Sequence, residues 1–310
     1  MKGDTTIQKF LSYVEIKTKI TSVLTFLLVL AYLFHERIAV DWKVTLVFFL
    51  SMFLFDLTTT ALNNYIDTKT NHQTLVFRRS GALAIFFVLL AMSIASGIYL
   101  VILTDIIVLL IGAVCFAAGI LYTFGPVPIS RLPLGEVFSG IFYGFFIPFL
   151  ILYINLPSGS IMVLEYKEVI GKLYFTMSVK PILSIILLSV IPMAVTANIM
   201  LANNICDHEK DIAVKRYTLP HFIGDKAVTL FAFIYYATYA ANIALVVFGI
   251  LHPITLLALL TFPVVQKNIN VFRKLQDKET TFGVSIINFI VIMAANILAV
   301  FVGGLFMRWF

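Results

Sequence analysis

The chain is organised around two copies of one polar pattern, and the second copy reads Asn203-Asn204-Ile205-Cys206-Asp207-His208-Glu209-Lys210-Asp211. It ends a long apolar run. If the helix continues, Asn203, Asp207 and Asp211 line one face, because they are four residues apart. The first copy, Asn63-Asn64-Tyr65-Ile66-Asp67-Thr68-Lys69-Thr70-Asn71, aligns with the second without a gap, with Asn71 in place of Asp211. The shared register predicts that both clusters serve one purpose.

Oxygen ligands are common to both copies. They suit Mg²⁺, a hard cation that often bridges carboxylates to phosphate oxygens. The candidate metal ligands are Asn63, Asn64, Asp67, Asn71, Asn203, Asp207 and Asp211. Basic residues follow each copy: Arg78 and Arg79 after the first, Lys215 and Arg216 after the second. A single polar cluster at a helix end is usually an interfacial cap, but the duplication favours a polyanion held through metal ions between the copies.

The composition is that of a polytopic membrane protein: of 310 residues, 61% are hydrophobic and 12% charged, and the mean hydropathy is +1.01. Continuous apolar runs predict an all-α fold of about nine transmembrane helices, because a membrane barrel needs strands of alternating polarity. The runs lie at 20–34, 43–62, 81–101, 105–124, 134–154, 182–205, 227–250, 252–266 and 284–306. Cytoplasmic loops explain the net charge of +6 better than a nucleic-acid partner does.

Lysine and arginine are distributed unequally between alternate loops. The set that contains the N-terminus and both polar patterns holds 16 basic residues, and the opposite set holds 6. This bias predicts that the N-terminus and both patterns are cytoplasmic. Nine spans then place the C-terminus on the other side of the membrane.

Two further residues allow both a functional and a structural interpretation. Asp56 lies inside the second span, where an acid is costly. It forms either the wall of a buried pocket that contacts metal or substrate, or a helix–helix hydrogen bond with Thr59 or Thr60. Tyr122 precedes a rigid turn that is rich in proline and glycine. It is either an interfacial anchor or a π face beside a developing cation.

The second copy, followed by Lys215-Arg216-Tyr217-Thr218-Leu219, resembles the second aspartate-rich motif of the UbiA superfamily of intramembrane prenyltransferases. The stretches 14–20, 122–136 and 278–289 are similar to the branch that prenylates 1,4-dihydroxy-2-naphthoate, so the resemblance covers nearly the whole chain. It implies one integral-membrane domain over residues 1–310, with the helices bundled around a central cavity. The first copy departs from the family, because Asn64 and Asn71 stand where carboxylates are common.

The resemblance implies an enzyme that transfers a polyprenyl group from polyprenyl diphosphate to an aromatic acceptor, closest to 1,4-dihydroxy-2-naphthoate, to give demethylmenaquinone. Asp67, Asp207 and Asp211 would hold Mg²⁺ on the donor diphosphate, and Tyr122 would lie near the allylic cation. The implied substrate-binding residues are Lys17, Asp56, Arg78, Arg79, Lys215 and Arg216. Since the donor and product are lipids, the expected setting is a bilayer, here the cell membrane of a bacterium.

Three alternatives stay open at this point. A prenyltransferase of the same kind could use another aromatic or lipid acceptor. A polytopic transporter would need helix breaks and polar sites near the membrane midplane, whereas the matched polar sites lie at one face. A phosphotransferase acting on CDP-alcohols would also use Mg²⁺ and a diphosphate, but its Asp-Gly and Ala-Arg motif is missing from the sequence.

Overall fold

The computed structural model describes residues 5–70 and 74–306, apart from the side chains of residues 69 and 70. Over these ranges the fold is helical except for one β-hairpin. The α-helices are α1 (Thr6–Tyr13), α2 (Ile20–His35), α3 (Trp42–Thr70), α4 (Arg79–Leu103), α5 (Ile106–Thr123), α6 (Gly135–Ile141), α7 (Ile147–Asn155), α8 (Val179–Cys206), α9 (His208–Ala213), α10 (Leu219–Ile223), α11 (Lys226–Val247), α12 (Phe262–Lys274) and α13 (Gly283–Phe306). The strands are β1 (Met162–Lys167) and β2 (Lys172–Met177).

Nine helical segments in the described part of the chain are long and apolar enough to cross a bilayer, which confirms the predicted all-α membrane fold. Two boundaries differ from the prediction by more than four residues. The second span continues as α3 to Thr70 rather than stopping at 62, so the first copy up to that residue is helical. The eighth span begins as a 3-10 helix, Pro253–Thr261, and continues as α12 to Lys274 rather than ending at 266. The continuous apolar run ends before the helix does, because α12 is amphipathic: it buries Val265, Ile269 and Phe272 on one side and carries polar residues on the other.

The chain divides into two compact units. The first contains the chain up to Ser22 and Trp42–Ser130, and the second contains Val23–Asp41 and the chain from Arg131 onward. In the first unit, the buried Tyr13 joins α1 to the ends of two spans by donating hydrogen bonds to Ala61 O (2.8 Å) and Ala82 O (3.3 Å). Burial raises the pKa of this phenol to about 12, so it remains a donor at neutral pH.

In the second unit, the fifth span packs closely against α8. A π-helical turn, Phe142–Phe146, links α6 to α7. Glycine residues of the fifth span lie where it meets α8, so no side chain separates the two backbones there. A Cβ at Gly140 would lie 3.0 Å from the Met193 carbonyl oxygen, and one at Gly144 would collide with the Met193 backbone. The neighbouring Pro192 has no N–H to donate within α8. The fifth span therefore reaches the backbone of α8, the helix that carries the second polar pattern.

Candidate active site

The first copy of the pattern occupies the last turns of α3, inside the first unit. Asn63 Oδ1 accepts a hydrogen bond from Thr123 Oγ1 at 3.1 Å. Asn64 points toward the N-terminal segment, where its Nδ2 donates to Tyr13 O (2.8 Å) and Glu15 Oε1 (3.1 Å). Asp67 is half-buried one turn later. The structure thus uses the amide group of Asn64 to fix the segment before the first span, while Asn71 lies outside the described residues.

The basic residues expected near the first copy have different environments. Arg79 Nη2 donates to Tyr65 O at 2.8 Å, and its guanidinium lies 4.5 Å from the centre of the Tyr65 ring. Arg78 precedes α4 and is exposed, as is Lys17. Tyr122 is half-buried in the last turn of α5. Of these cations, the structure therefore places Arg79 directly against the helix that carries the first copy.

Asp56 forms a buried ion pair with Lys19, a partner that sequence reasoning missed. The two side chains are each 4% exposed, and Lys19 Nζ lies 2.8 Å from Asp56 Oδ1. The same ammonium also donates to Asp56 O (3.1 Å) and Thr60 Oγ1 (2.5 Å), and Ser22 Oγ donates to Asp56 Oδ2 (2.8 Å). Both carboxylate oxygens thus have protein donors, which suits a structural link between two spans. Lys19 could have been considered as a partner of Asp56 from the sequence, because it is a basic residue at the start of the first span.

The second copy spans the junction of α8 and α9 in the second unit. The helix breaks at Asp207, yet Asp207 N donates to Asn203 O at 3.0 Å and Asp211 N donates to Asp207 O at 2.8 Å. The four-residue hydrogen-bond spacing therefore survives the break. The backbones of the three predicted ligands therefore remain one helical turn apart, although Asp207 itself has non-helical backbone angles.

A cation from a distant segment lies between two of these ligands. Lys278 Nζ donates to Asn203 Oδ1 and to Asp207 Oδ2, the latter at 2.5 Å. Lys278 belongs to the turn between α12 and α13, which Asp277 holds by accepting from Thr280 N (2.8 Å) and Thr280 Oγ1 (2.6 Å). These hydrogen bonds from Thr280 lower the pKa of Asp277. Sequence reasoning included this turn in the resemblance but not Lys278 among the site residues.

Asp211 lies deeper than Asp207 and has its own partners. It is 5% exposed, and its Oδ1 is 3.6 Å from Arg216 Nε, while Thr218 Oγ1 donates to its Oδ2 at 3.4 Å. Burial raises the pKa of this carboxyl, and the positive charge of Arg216 opposes that effect. Arg216 is thus an ion-pair partner of Asp211, whereas Lys215, with a left-handed backbone (φ 58°), is exposed.

The second asparagine of each copy makes the same kind of bond. Asn204 Nδ2 donates to Glu136 Oε1 at 2.8 Å, just as Asn64 donates to Glu15. Glu136 is buried in the first turn of α6. Within the described ranges, Asn204 Oδ1 and Glu136 Oε2 are buried without a hydrogen-bond partner. This leaves two unsatisfied oxygens beside the second copy.

The oxygen donors of the second copy fit a hard divalent cation. Asn203 Oδ1 and Asp207 Oδ2 already converge on one positive charge, the Lys278 ammonium. No group of three or more histidine, cysteine, aspartate or glutamate side chains is close enough to hold a metal ion within residues 5–70 and 74–306. An amide and a carboxylate leave most coordination positions to water or phosphate, which is how Mg²⁺ is usually bound.

A family model described as the UbiA prenyltransferase family matches residues 22–282. The chain belongs to this family. A relative from Bacillus subtilis (strain 168), 1,4-dihydroxy-2-naphthoate octaprenyltransferase, is 31% identical over 239 residues, which are 71% of this chain and 70% of the relative. The family assignment confirms the predicted resemblance and an enzyme that transfers prenyl groups, which sets the transporter alternative aside.

Solved structures of UbiA homologues share the fold. A homologue from Aeropyrum pernix K1 has a TM-score of 0.63 at 17% identity, over 94% of this chain and 98% of that one. A homologue from Archaeoglobus fulgidus, solved with GPP and Mg²⁺, has a TM-score of 0.59 at 15% identity, over 95% and 98% of the chains. The nine predicted spans therefore form a UbiA-type membrane fold.

Proposed function

We propose that this UbiA-family enzyme transfers a polyprenyl group from polyprenyl diphosphate to 1,4-dihydroxy-2-naphthoate. The observation that carries the choice of acceptor is the 31% identity, over 70% of its length, to a relative named for that reaction. The duplicated asparagine and aspartate pattern supports a diphosphate donor, because it supplies the oxygen ligands that Mg²⁺ uses beside phosphate.

In this proposal, each copy would hold Mg²⁺ through its own residues: Asp67 with the amide oxygen of Asn63 in the first copy, and Asp207 and Asp211 with the amide oxygen of Asn203 in the second. Bound Mg²⁺ would neutralise the charge that develops on the leaving diphosphate. Lys278, Arg78, Arg79, Lys215 and Lys17 supply further positive charge for the same group. Asn64 and Arg216 act less directly, since Asn64 fixes the N-terminal segment and Arg216 neutralises Asp211. Asp56 supports the fold through Lys19.

The reaction breaks the allylic C–O bond, and diphosphate leaves with the bonding electrons. The electron-rich ring then forms a C–C bond to the allylic carbon, at the ring carbon that carries the carboxylate. Carbon dioxide leaves, and the electrons of the broken C–C bond restore the ring. Surrounding apolar spans exclude water that would otherwise capture the cation, and Tyr122 is the proposed aromatic neighbour of that cation.

Acceptor choice can be tested with the purified protein in lipid nanodiscs. Polyprenyl diphosphate is supplied with 1,4-dihydroxy-2-naphthoate, 4-hydroxybenzoate or a glycerol phosphate, and release of diphosphate and prenylated product is measured with Mg²⁺ or with EDTA. We expect Mg²⁺-dependent product with the naphthoate, and carbon dioxide in equal amount from carboxyl-labelled acceptor. Product from either other acceptor alone would overturn the naphthoate assignment but retain the prenyl transfer.

The proposal also includes an orientation with both patterns in the cytoplasm, which rests on the charge bias of the loops. The two ends of α8 offer matched probes, Val169 in the hairpin before the helix and Glu209 just after it, both exposed. In a variant without Cys115 and Cys206, Val169→Cys should react with an impermeant thiol reagent in intact cells. Glu209→Cys should react only after the membrane is opened. The reverse pattern would invert the orientation.

A further inference from the structure

The β-hairpin that connects the fifth and sixth spans separates apolar and polar side chains onto opposite faces. Its strands pair in the register Met162↔Met177, Leu164↔Phe175 and Tyr166↔Leu173, which places these six apolar side chains on one face. The intervening pairs, Val163↔Thr176, Glu165↔Tyr174 and Lys167↔Lys172, form the other face. Lys167 Nζ lies 5.0 Å from the centre of the Tyr174 ring, as expected for residues on the same face.

Most of the apolar face is exposed within the described residues. Met162 and Leu164 are half-buried, whereas Tyr166 (61%), Leu173 (64%), Phe175 (57%) and Met177 (51%) are exposed. A two-stranded hairpin is marginally stable in water on its own and needs a surface against which its apolar face can pack. A contiguous exposed apolar face of this kind is typical of a surface that contacts a membrane or another protein.

The attachment of the hairpin limits where that partner can be. Ser178 is the one residue between β2 and α8, and Ser178 N closes the base of the hairpin by donating to Ile161 O at 2.7 Å. Ile161 is buried, and at the end of α7 Asn155 Oδ1 accepts a hydrogen bond from Asp41 N at 2.8 Å. Six-residue strands span about 20 Å. The hairpin therefore starts directly at the end of a membrane span, and its tip lies within about 20 Å of that end.

We infer that the apolar face of the hairpin rests on the surface of the bilayer, at the end of α8 opposite the second polar pattern. The first turns of α8, which directly follow the hairpin, also expose apolar side chains, Val179 (65%), Leu183 (58%) and Ile186 (43%), as expected of a span that faces lipid. Aromatic side chains such as Tyr166 and Phe175 suit the interface between acyl chains and headgroups. The opposite face, which carries Glu165, Lys167 and Lys172, then lies toward water. The hairpin is thus an interfacial anchor, separate from the prenyl-transfer chemistry.

Neighbouring aromatic residues on β2 provide a matched pair of reporters. Phe175→Trp places an indole on the apolar face, and Tyr174→Trp places one on the polar face. Both are introduced into a chain in which Trp42 and Trp309, its two tryptophans, are replaced by phenylalanine. The protein is reconstituted in phosphatidylcholine vesicles, with or without phosphatidylglycerol and with or without acyl chains brominated near the headgroup.

Emission from Phe175→Trp should be blue-shifted, quenched by brominated lipid and protected from aqueous iodide, whereas Tyr174→Trp should show the opposite pattern. Equal quenching of both by iodide would mean that the hairpin projects into water. Protection of Phe175→Trp from both quenchers would mean that protein, such as a second copy of the chain, covers the face. Either result overturns the inference. Unchanged thermal unfolding of both variants would show that the substitutions preserve the fold.

Discussion

The two copies of the polar pattern have the same register and make the same asparagine-to-glutamate bond, yet their environments differ. In the second copy, Asn203 and Asp207 share the ammonium of Lys278. In the first copy, the matching Asn63 accepts from the neutral hydroxyl of Thr123. The asparagine–glutamate pair is buried in the second copy through Asn204 and Glu136, and more exposed in the first.

The difference comes from the partners rather than from the repeat itself. Each copy ends a long span, but its neighbours are supplied by remote segments, the turn before α13 in one unit and the end of α5 in the other. In the second copy a cation, Lys278, already lies between the asparagine and the aspartate, whereas in the first copy the matching asparagine accepts from a neutral hydroxyl. Duplication of the motif therefore preserves the order of the ligands without preserving the partner of the first asparagine.

The largest expected effect is the loss of a carboxylate from either copy. Asp207→Ala and Asp67→Ala should each reduce kcat/KM for prenyl transfer by about 10²–10³, since each removes a group that stabilises the developing charge on diphosphate. Glu209→Ala is the matched control, because it removes an exposed carboxylate two residues from Asp207. Near-normal activity in Asp67→Ala would mean that the first copy does not bind the metal, so that the two copies would differ in function.

The second effect concerns stability. It tests whether the buried asparagine–glutamate hydrogen bond contributes more to the free energy of unfolding than the exposed one. Asn204→Ala leaves the buried Glu136 without its donor and should lower the free energy of unfolding by about 1–3 kcal/mol. Asn64→Ala removes a bond to the exposed Glu15 and one to a backbone carbonyl, and should cost about 1 kcal/mol. Thermal unfolding of both variants in one detergent measures the difference. Equal shifts would mean that burial does not distinguish the copies.

The sequence predicted the fold well, because the membrane imposes long apolar helices that are visible in composition alone. The misplaced ends, at 62 and 266, occur where amphipathic turns continue a helix beyond its apolar part. The hairpin was not anticipated, since six-residue alternating strands between two spans give a weak signal. The candidate ligands were identifiable from spacing, but Lys19 and Lys278 were not assigned, because their partners lie 37 and 71 residues away in sequence.

Replacement of Lys278 should sharpen the electrostatic comparison. In the structure its ammonium occupies the point on which Asn203 and Asp207 converge, so a divalent cation has to displace it. Lys278→Gln should therefore raise the affinity of the donor-free protein for Mn²⁺ by about threefold to tenfold, as measured by electron paramagnetic resonance. Lys210→Gln is the control, because the exposed Lys210 Nζ is 4.0 Å from Asp207 Oδ1. Lower Mn²⁺ affinity in Lys278→Gln would show that Lys278 assembles the ligands instead of competing with the metal.

The smallest expected effect comes from making the two copies chemically alike. Asn71 stands in the first copy where Asp211 stands in the second, so Asn71→Asp adds a negative charge at the matched position. If residue 71 approaches the metal, the Mg²⁺ concentration for half-maximal activity should fall by about twofold to fivefold, because one further carboxylate strengthens the local field. The reciprocal variant, Asp211→Asn, should raise that concentration, and by more, since Asp211 is buried beside Arg216. An unchanged Mg²⁺ dependence in Asn71→Asp, together with a clear change in Asp211→Asn, would mean that the first copy binds through Asp67 alone and that the alignment of the repeat stops before residue 71.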